Sequence, residues 1–380
     1  MTTRAANLRR VFDLVREHGT ITRPEVSTLA QLSRSTVSSL VAELIDAGWV
    51  IERQANAKGP GAGSGRPALV LAPVMPDGLL LAIDFGHNHV RVAAADMACE
   101  VRAERTVELD VDENAGQALD GCADLVTTVL AELGADRGAV RAAAAGIPGP
   151  LDNGPQRKVR SPTILADWID LSPAAELERR IGRPIAIDND ANLGALGELR
   201  FGAGHRVGDF IYVKASHGIG ASVVLGGQPY RGATGIAGEI GHTQIPGATQ
   251  RCRCGNRGCL ETAVSIELVR AELRRLRPPP ANPADAMNDP VARRIVTEAG
   301  RTIGRVAADL CNCLNPAAVI MGGELSEYGP PFITGVRDSI DRYAQPATSE
   351  AVAVLAAEHG RRAEILGALA LAAQLASYHS

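Results

Sequence analysis

The chain has 380 residues, 46% hydrophobic and 22% charged, enough for two or three domains with real cores. No apolar run approaches the roughly 18 residues of a membrane helix, no signal-peptide core follows Met1, and seven cysteines, an odd number, argue against a secreted disulfide framework. The expected compartment is therefore the cytoplasm. A net charge of −4 hides an asymmetry: residues 1–70 carry nine basic against six acidic side chains, and the remainder 30 against 37. A basic head on an acidic body suits contact with an anionic polymer.

The head reads as three helices and a strand. Leu8, Val11, Phe12 and Val15 share one face of a helix over residues 6–17, closed by Gly19. Thr22-Arg-Pro24-Glu25 is a helix start, with a capping hydroxyl, a proline in the first turn and a carboxylate at the positive end. Ser33 caps a third helix, Arg34 to Ala47, with Val37, Leu40, Val41, Leu44 and Ile45 inward and Gly48 as its stop. Trp49–Ile51 is a short strand. That order is a winged helix-turn-helix, a double-stranded DNA reader whose third helix offers Arg34, Ser35, Thr36 and Ser38 to a major groove. Residues 57–67 form a flexible wing or linker, and Gly65-Arg66-Pro67 presents Arg66 in a form that enters a minor groove. A protein-binding helical hairpin is the competing reading.

From Leu79 strands and helices alternate. Strands are expected at 79–84, 90–96, 140–145, 184–187, 209–213, 221–225 and 318–321, and helices at 115–133, 190–198, 265–276, 290–313 and 363–376. Two α/β lobes around a cleft follow from that pattern. Glycine turns at Gly86, Gly146–Pro150, Gly218–Gly220 and Gly322–Gly323, with Asn189-Asp190, close strand ends, where α/β sheets bind ligands.

Within the second lobe, Gly238-Glu239-Ile-Gly-His242 precedes Cys252-Arg-Cys254-Gly-Asn-Arg-Gly-Cys259-Leu-Glu261. His242, Cys252, Cys254 and Cys259 have the ligand types and number of a closed, structural zinc site, and Gly255 and Gly258 let the backbone fold back around it. A redox or free-thiol loop is the alternative. Cys99, Cys122, Cys311 and Cys313 read as core thiols. His87, His89 and His217 read as substituents filling a pocket, and Arg270–Arg277 as a solvated helix end.

The Gly-Glu-Ile-Gly-His and Cys-x-Cys-Gly-x-x-Gly-Cys-Leu-Glu segments resemble the ROK family of repressors and sugar kinases, and the resemblance runs along nearly the whole chain. It implies a winged helix-turn-helix and linker over 1–72 and an actin/hexokinase-like body. The first lobe would span 78–190, with helix 363–380 packed on it, and the second 191–362. It implies sugar contacts from Asn189, Asp190, Glu239, His242 and Glu261, with Asp190 as the base of a kinase. Thr163 stands where the family often has an asparagine. Two phosphate turns depart from the family's Asp-x-Gly-Gly-Thr and Gly-Thr-Gly-x-Gly: here they read Asp84-Phe-Gly86-His87-Asn88 and Ser216-His217-Gly218-Ile219-Gly220. The glycine that admits phosphate has become histidine and both threonines are gone, although phosphoryl transfer depends on positioning. The expected protein is a sugar- or phosphosugar-responsive repressor of carbohydrate genes, a homodimer or homotetramer on an operator, with zinc but no catalysis. A bifunctional sugar kinase with a DNA-binding head is the alternative.

Overall fold

A computed structural model describes residues 3–46, 49–54, 69–74, 77–154, 156–160, 165–169, 171–276 and 282–376. The expected wing with Arg66, the helix stop at Gly48, and Thr163 lie outside the described residues. The chain divides into two compact units, Met1–Asp77 and Gly78–Ser380.

The first unit holds helices α1 (Thr3–His18), α2 (Arg23–Ala30) and α3 (Arg34–Asp46) and a hairpin of β1 (Val50–Gln54) and β2 (Leu69–Pro73). Val11, Val15, Val26, Val37, Leu40, Val41 and Leu44 meet in one core, with Leu8, Phe12 and Ile45 partly buried beside it. The α2 start is a reciprocal cap: the Thr22 N–H donates to Glu25 at 2.8 Å, and the Glu25 N–H to the Thr22 hydroxyl at 3.4 Å. The strand seen at 49–51 runs on through Glu52-Arg53-Gln54, because β2 supplies the backbone partners that its charged sequence does not advertise. Ile21 bridges to Leu71 and adds a third edge to that hairpin.

The second unit repeats one plan twice. In the first lobe β3 (Leu79–Phe85), β4 (His89–Asp96) and β5 (Val101–Glu108) form an antiparallel meander, and β6 (Val140–Ile147) and β7 (Ile185–Asn189) extend it in parallel, in the order β5-β4-β3-β6-β7. In the second lobe β8 (Phe210–Ala215), β9 (Ile219–Leu225), β10 (Gln228–Tyr230), β11 (Ala318–Gly322) and β12 (Ala353–Ala356) form the matching order β10-β9-β8-β11-β12. Helix α4 (Ala115–Glu132) and helix α5 (Pro173–Ile181) cover the outer face of the first sheet. Helices Ile266–Leu273, Pro290–Leu314 and Pro330–Tyr343 cover that of the second.

Between the sheets lies a shared layer of two helices, α6 (Asp190–Phe201) and Ala363–Ala376. Leu193 and Leu196 pack on the first sheet with Ile365, Ala368 and Leu369, while Ala195 and Ala363 pack on the second. The two helices cross backbone to backbone. A Cβ at Gly197 would strike the Ala363 carbonyl, and one at Gly367 the Leu193 carbonyl, so only glycine fits either place. The final helix thus packs against both sheets and not the first alone.

The polar alternation of β5, the edge strand Val101-Arg-Ala-Glu-Arg-Thr-Val-Glu108, conceals it from a search for apolar strands. Cys313 is exposed, two positions along the helix from buried Cys311 and on a different face, so it is no core thiol. No helix of the described residues is long and apolar enough to cross a membrane.

Candidate functional site

The cleft of the second unit opens between the strand ends of its two lobes. The first lobe contributes Asp84, His87, the Pro148–Pro150 turn, Asn189 and Asp190. The second contributes Lys214, His217, Glu239, His242, Arg253, Glu261 and Glu324. All the sequence-predicted sugar residues among the described ones therefore face one space.

Asn189 caps α6. Its side-chain oxygen accepts from the Ala191 and Asn192 N–H groups at 2.9 and 3.3 Å, and its amide donates to the Gly149 carbonyl at 3.1 Å. One amide proton is left for a ligand. Asp190 begins the same helix and is buried. Its Oδ2 accepts from the Lys214 Nζ at 2.7 Å, and its Oδ1 from its neighbour's N–H at 2.8 Å. Glu364 stands 3.6 Å from the same ammonium. Burial would push the Lys214 ammonium down, but Asp190, Glu364 and Asp84 together hold it well above the ordinary lysine range. Burial raises the Glu364 carboxyl, eased by Lys214. Buried Asp84 accepts from His89 at 3.2 Å, while its Oδ1 has no hydrogen-bond partner. Sequence reading missed this cluster.

The cassette forms a tight knuckle. Cys252 donates its N–H to the Asn256 carbonyl at 2.8 Å, and Gly255 and Gly258 adopt left-handed φ of 94° and 69°. The ligand atoms of His242, Cys252, Cys254 and Cys259 all lie within 4.8 Å of one another. His242 Nδ1 is 3.7 Å from Cys252 Sγ, and Cys254 Sγ is 3.7 Å from Cys259 Sγ. Around an ion bonded at about 2.3 Å to each sulfur, tetrahedral neighbours stand about 3.8 Å apart, so the set fits a metal of that size. The Nε2 side of His242 faces the Glu239 carboxylate at 3.8 Å. Burial, with Asp190 and Glu261 nearby, pushes the Glu239 carboxyl up to about 7 despite Arg253. Arg253, carried between two of the cysteines, reaches Glu261 and, across the cleft, Asp112, both at 3.6 Å.

The altered turns meet beside the cassette, where a Cβ at Gly218 would lie 3.6 Å from Arg253, 3.7 Å from Glu261 and 3.9 Å from His87. His87 and His217 stand with ring centroids 6.0 Å apart. His87 pairs with Asp112 at 2.7 Å, and His217 with Glu267 at 2.7 Å and Glu324 at 3.7 Å. Hydrogen bonds to Glu267 and Glu324 hold the His217 imidazolium up to about 9, and the Glu324 carboxyl is held down to about 2, chiefly by His217. These histidines fill space and answer carboxylates; among the described residues they are not part of a convergent metal set. Arg270, read as solvated, is paired with Glu324 at 2.7 Å.

In the first unit Arg34, Ser35 and Ser38 are exposed at the start of α3, and Thr36 is half-buried. Arg34 has no ion-pair partner among the described residues. The Ser33 hydroxyl lies 2.9 Å from that of Ser35 and 2.8 Å from that of Thr36, so those two side chains also serve the helix cap.

Three helices and a hairpin, followed along the chain by a twice-repeated lobe with acids gathered at the strand ends beside a Cys₃His knuckle, define a helix-turn-helix unit and a kinase-type body. The chain belongs to the ROK family, whose family model matches residues 80–375. It is 30% identical to the putative xylose repressor of Caldicellulosiruptor sp. (strain Rt8B.4), over 95% of this chain and 94% of that one. A solved ROK family transcriptional regulator, homolog of the E. coli MLC protein, is similar with a TM-score of 0.75 and 25% identity, covering 97% of this chain and 96% of that one. A ROK family glucokinase from Streptomyces griseus, in complex with glucose and AMPPNP, gives a TM-score of 0.65 at 29% identity, covering 78% of this chain and all of that one.

Proposed function

We propose that this protein is a transcriptional repressor whose head reads a two-fold DNA operator and whose cleft takes a sugar that sets the strength of that binding. The observation that carries the reading is the head itself. Its recognition helix leaves Arg34, Ser35 and Ser38 exposed, and similarity to a repressor extends over 95% of the chain, too much to omit a unit of 77 residues. Arg34, Ser35, Thr36 and Ser38 would contact the major groove and Arg66 the minor groove. A homodimer, or a homotetramer, would place two recognition helices on half-sites one helical turn apart, and DNA binding would set the work in the cytoplasm.

In the cleft, Asn189, Asp190, Glu239, His242 and Glu261, with Thr163, would hold sugar hydroxyls. A site of paired hydrogen bonds rejects analogues lacking a hydroxyl. Zinc would sit on His242, Cys252, Cys254 and Cys259 as a structural brace. When bound it would fix the ring of His242, so that the Nε2 side keeps facing Glu239.

The body does not act as a kinase on this reading. The ammonium of Lys214 occupies one oxygen of Asp190 at 2.7 Å, and the first phosphate turn carries histidine where the family has glycine while both turns have lost their threonine. The same cleft acids and the similarity to a glucokinase favour the bifunctional alternative, which a coupled ADP-release assay over common sugars decides. Sustained turnover abolished by Asp190→Asn would establish it.

The regulator reading is tested by fluorescence anisotropy on DNA flanking the protein's own gene. Arg34→Ala is expected to weaken operator binding by roughly 10- to 100-fold. Glu261→Gln is expected to keep operator binding and lose the response to sugar. Absence of salt-sensitive, sequence-selective binding by the folded protein would end the proposal.

A further inference from the structure

Whether the cleft suits a free sugar or its phosphate ester is decided by the positive charges that line it, and each of them already faces a carboxylate, although the Arg91 Nε is buried with no hydrogen-bond partner. Lys214 faces Asp190 at 2.7 Å and Glu364 at 3.6 Å. Arg253 spans Asp112 and Glu261, both at 3.6 Å. Arg361 lies 3.6 Å from Glu324 and 3.7 Å from Glu327, and Arg91 lies 3.8 Å from Glu104 while donating to the Arg361 carbonyl at 2.7 Å. His217 is held between Glu267 and Glu324. His87 and His89 face Asp112 and Asp84 at 2.7 and 3.2 Å.

The other natural phosphate seat, a helix N-terminus, is closed as well. At the start of α6 the Ala191 N–H already donates to the Asn189 and Asp190 side chains, and the Asn192 N–H to Asn189. The acceptors left over in the cleft are carboxyl oxygens. Glu239 has one ion-pair partner among the described residues, His242 at 3.8 Å, and the Asp84 Oδ1 is buried with no hydrogen-bond partner.

We infer that the cleft takes a sugar with no anionic substituent, a neutral or amino sugar, and rejects the phosphate ester of the same sugar. The inference rests on the sugar-response reading above and narrows it. A phosphate entering this space would meet carboxylates already holding every cation. It would either stay unpaired in a confined site or break an existing ion pair and leave a carboxylate bare. A sugar hydroxyl carries no such cost, since it donates to a carboxylate acceptor and accepts from the remaining Asn189 proton. An ammonium on the sugar would be received by Glu239.

The test is calorimetric titration of the full-length, metal-loaded protein with matched sets: pentoses, hexoses and hexosamines, the phosphate ester of each, the uronic acids and inorganic phosphate. At least one uncharged or amino sugar is expected to bind, with its phosphate ester at least ~100-fold weaker. A phosphate ester binding as tightly as its parent sugar would overturn the inference and leave the sugar-response reading standing. If no sugar or ester binds while operator DNA still does, the sugar-response reading falls and takes this inference with it.

Glu239→Gln supplies a second readout. Loss of this carboxylate weakens any sugar contact it makes, so the measured quantity is the ratio of parent to ester affinity. That ratio is expected to shrink by about 10-fold, the effect of one nearby like charge. An unchanged ratio in a variant with wild-type metal content and melting temperature would overturn the electrostatic account.

Discussion

Strand for strand the two lobes of the body match, yet their chemistry diverges. β3 corresponds to β8 and β6 to β11 in the two sheet orders. β3 and the turn after it carry Asp84 and His87, whereas β8 and the turn after it carry Lys214 and His217. Beyond β10 the second lobe inserts a Cys₃His knuckle that could hold a metal, for which the first lobe has no equivalent among the described residues. A repeated sheet therefore fixes where side chains meet, while single substitutions at strand ends and one insertion decide what they can do. The carboxylates of one lobe are answered by the lysine of the other, and the knuckle brings Arg253 across to Asp112.

The largest expected effect comes from breaking that answer. Lys214→Met leaves Asp190, Glu364 and Asp84 buried without their cation and is expected to cost about 3–5 kcal/mol of unfolding free energy in urea titration. Restored stability in the triple variant Lys214→Met, Asp190→Asn, Glu364→Gln would show that the cost lies in the bare carboxylates. Next is the insertion. Cys259→Ser, or chelation of the wild type, is expected to remove one equivalent of zinc by metal analysis and lower the melting temperature by about 5–10 °C. Equal melting with and without metal would mean that the knuckle holds itself.

Smaller is the contribution of the His217 cluster. His217 is raised from 6.5 to about 9, so its stabilisation is complete below pH 6.5 and is lost as pH rises through 9. Glu324 is lowered from 4.5 to about 2, so its share is present above pH 4.5 and lost as pH falls through 2. Arg270 and Arg361 face Glu324 and Glu267 faces His217 throughout. After allowance for solvent screening, stability is expected to drop by about 1–2 kcal/mol between about pH 6 and 10, and His217→Gln should flatten that part of the profile. Least is Arg361→Ala. A half-exposed arginine with pairs at 3.6 and 3.7 Å is expected to change stability by less than about 0.5 kcal/mol.

The head and the cassette were legible because local chemistry dictates them. A threonine, a proline and a glutamate in the right order start a helix wherever they stand, and three cysteines with two glycines fold onto one another without help. What escaped was set by distant partners. β2 and β5 are recognisable only beside β1 and β4, and Arg253 looks like a spacer between ligands until Asp112 is brought opposite it. Lys214 did leave a signal. The chain has three lysines among 39 basic residues, and this one interrupts the apolar run Phe210-Ile-Tyr-Val. A compact ammonium there, in a chain that otherwise uses arginine, marks a buried point charge and not a surface one.

The close crossing at Gly197 and Gly367 has a consequence for synthesis. The middle layer needs both its helices, and the second begins at Ala363, some 300 residues after the head is complete. At about 5–20 residues per second that interval is roughly 15–60 s. For that time each nascent chain carries a finished head and an unfinished body, so the N-terminal unit is complete well before the middle layer that joins the two sheets can form.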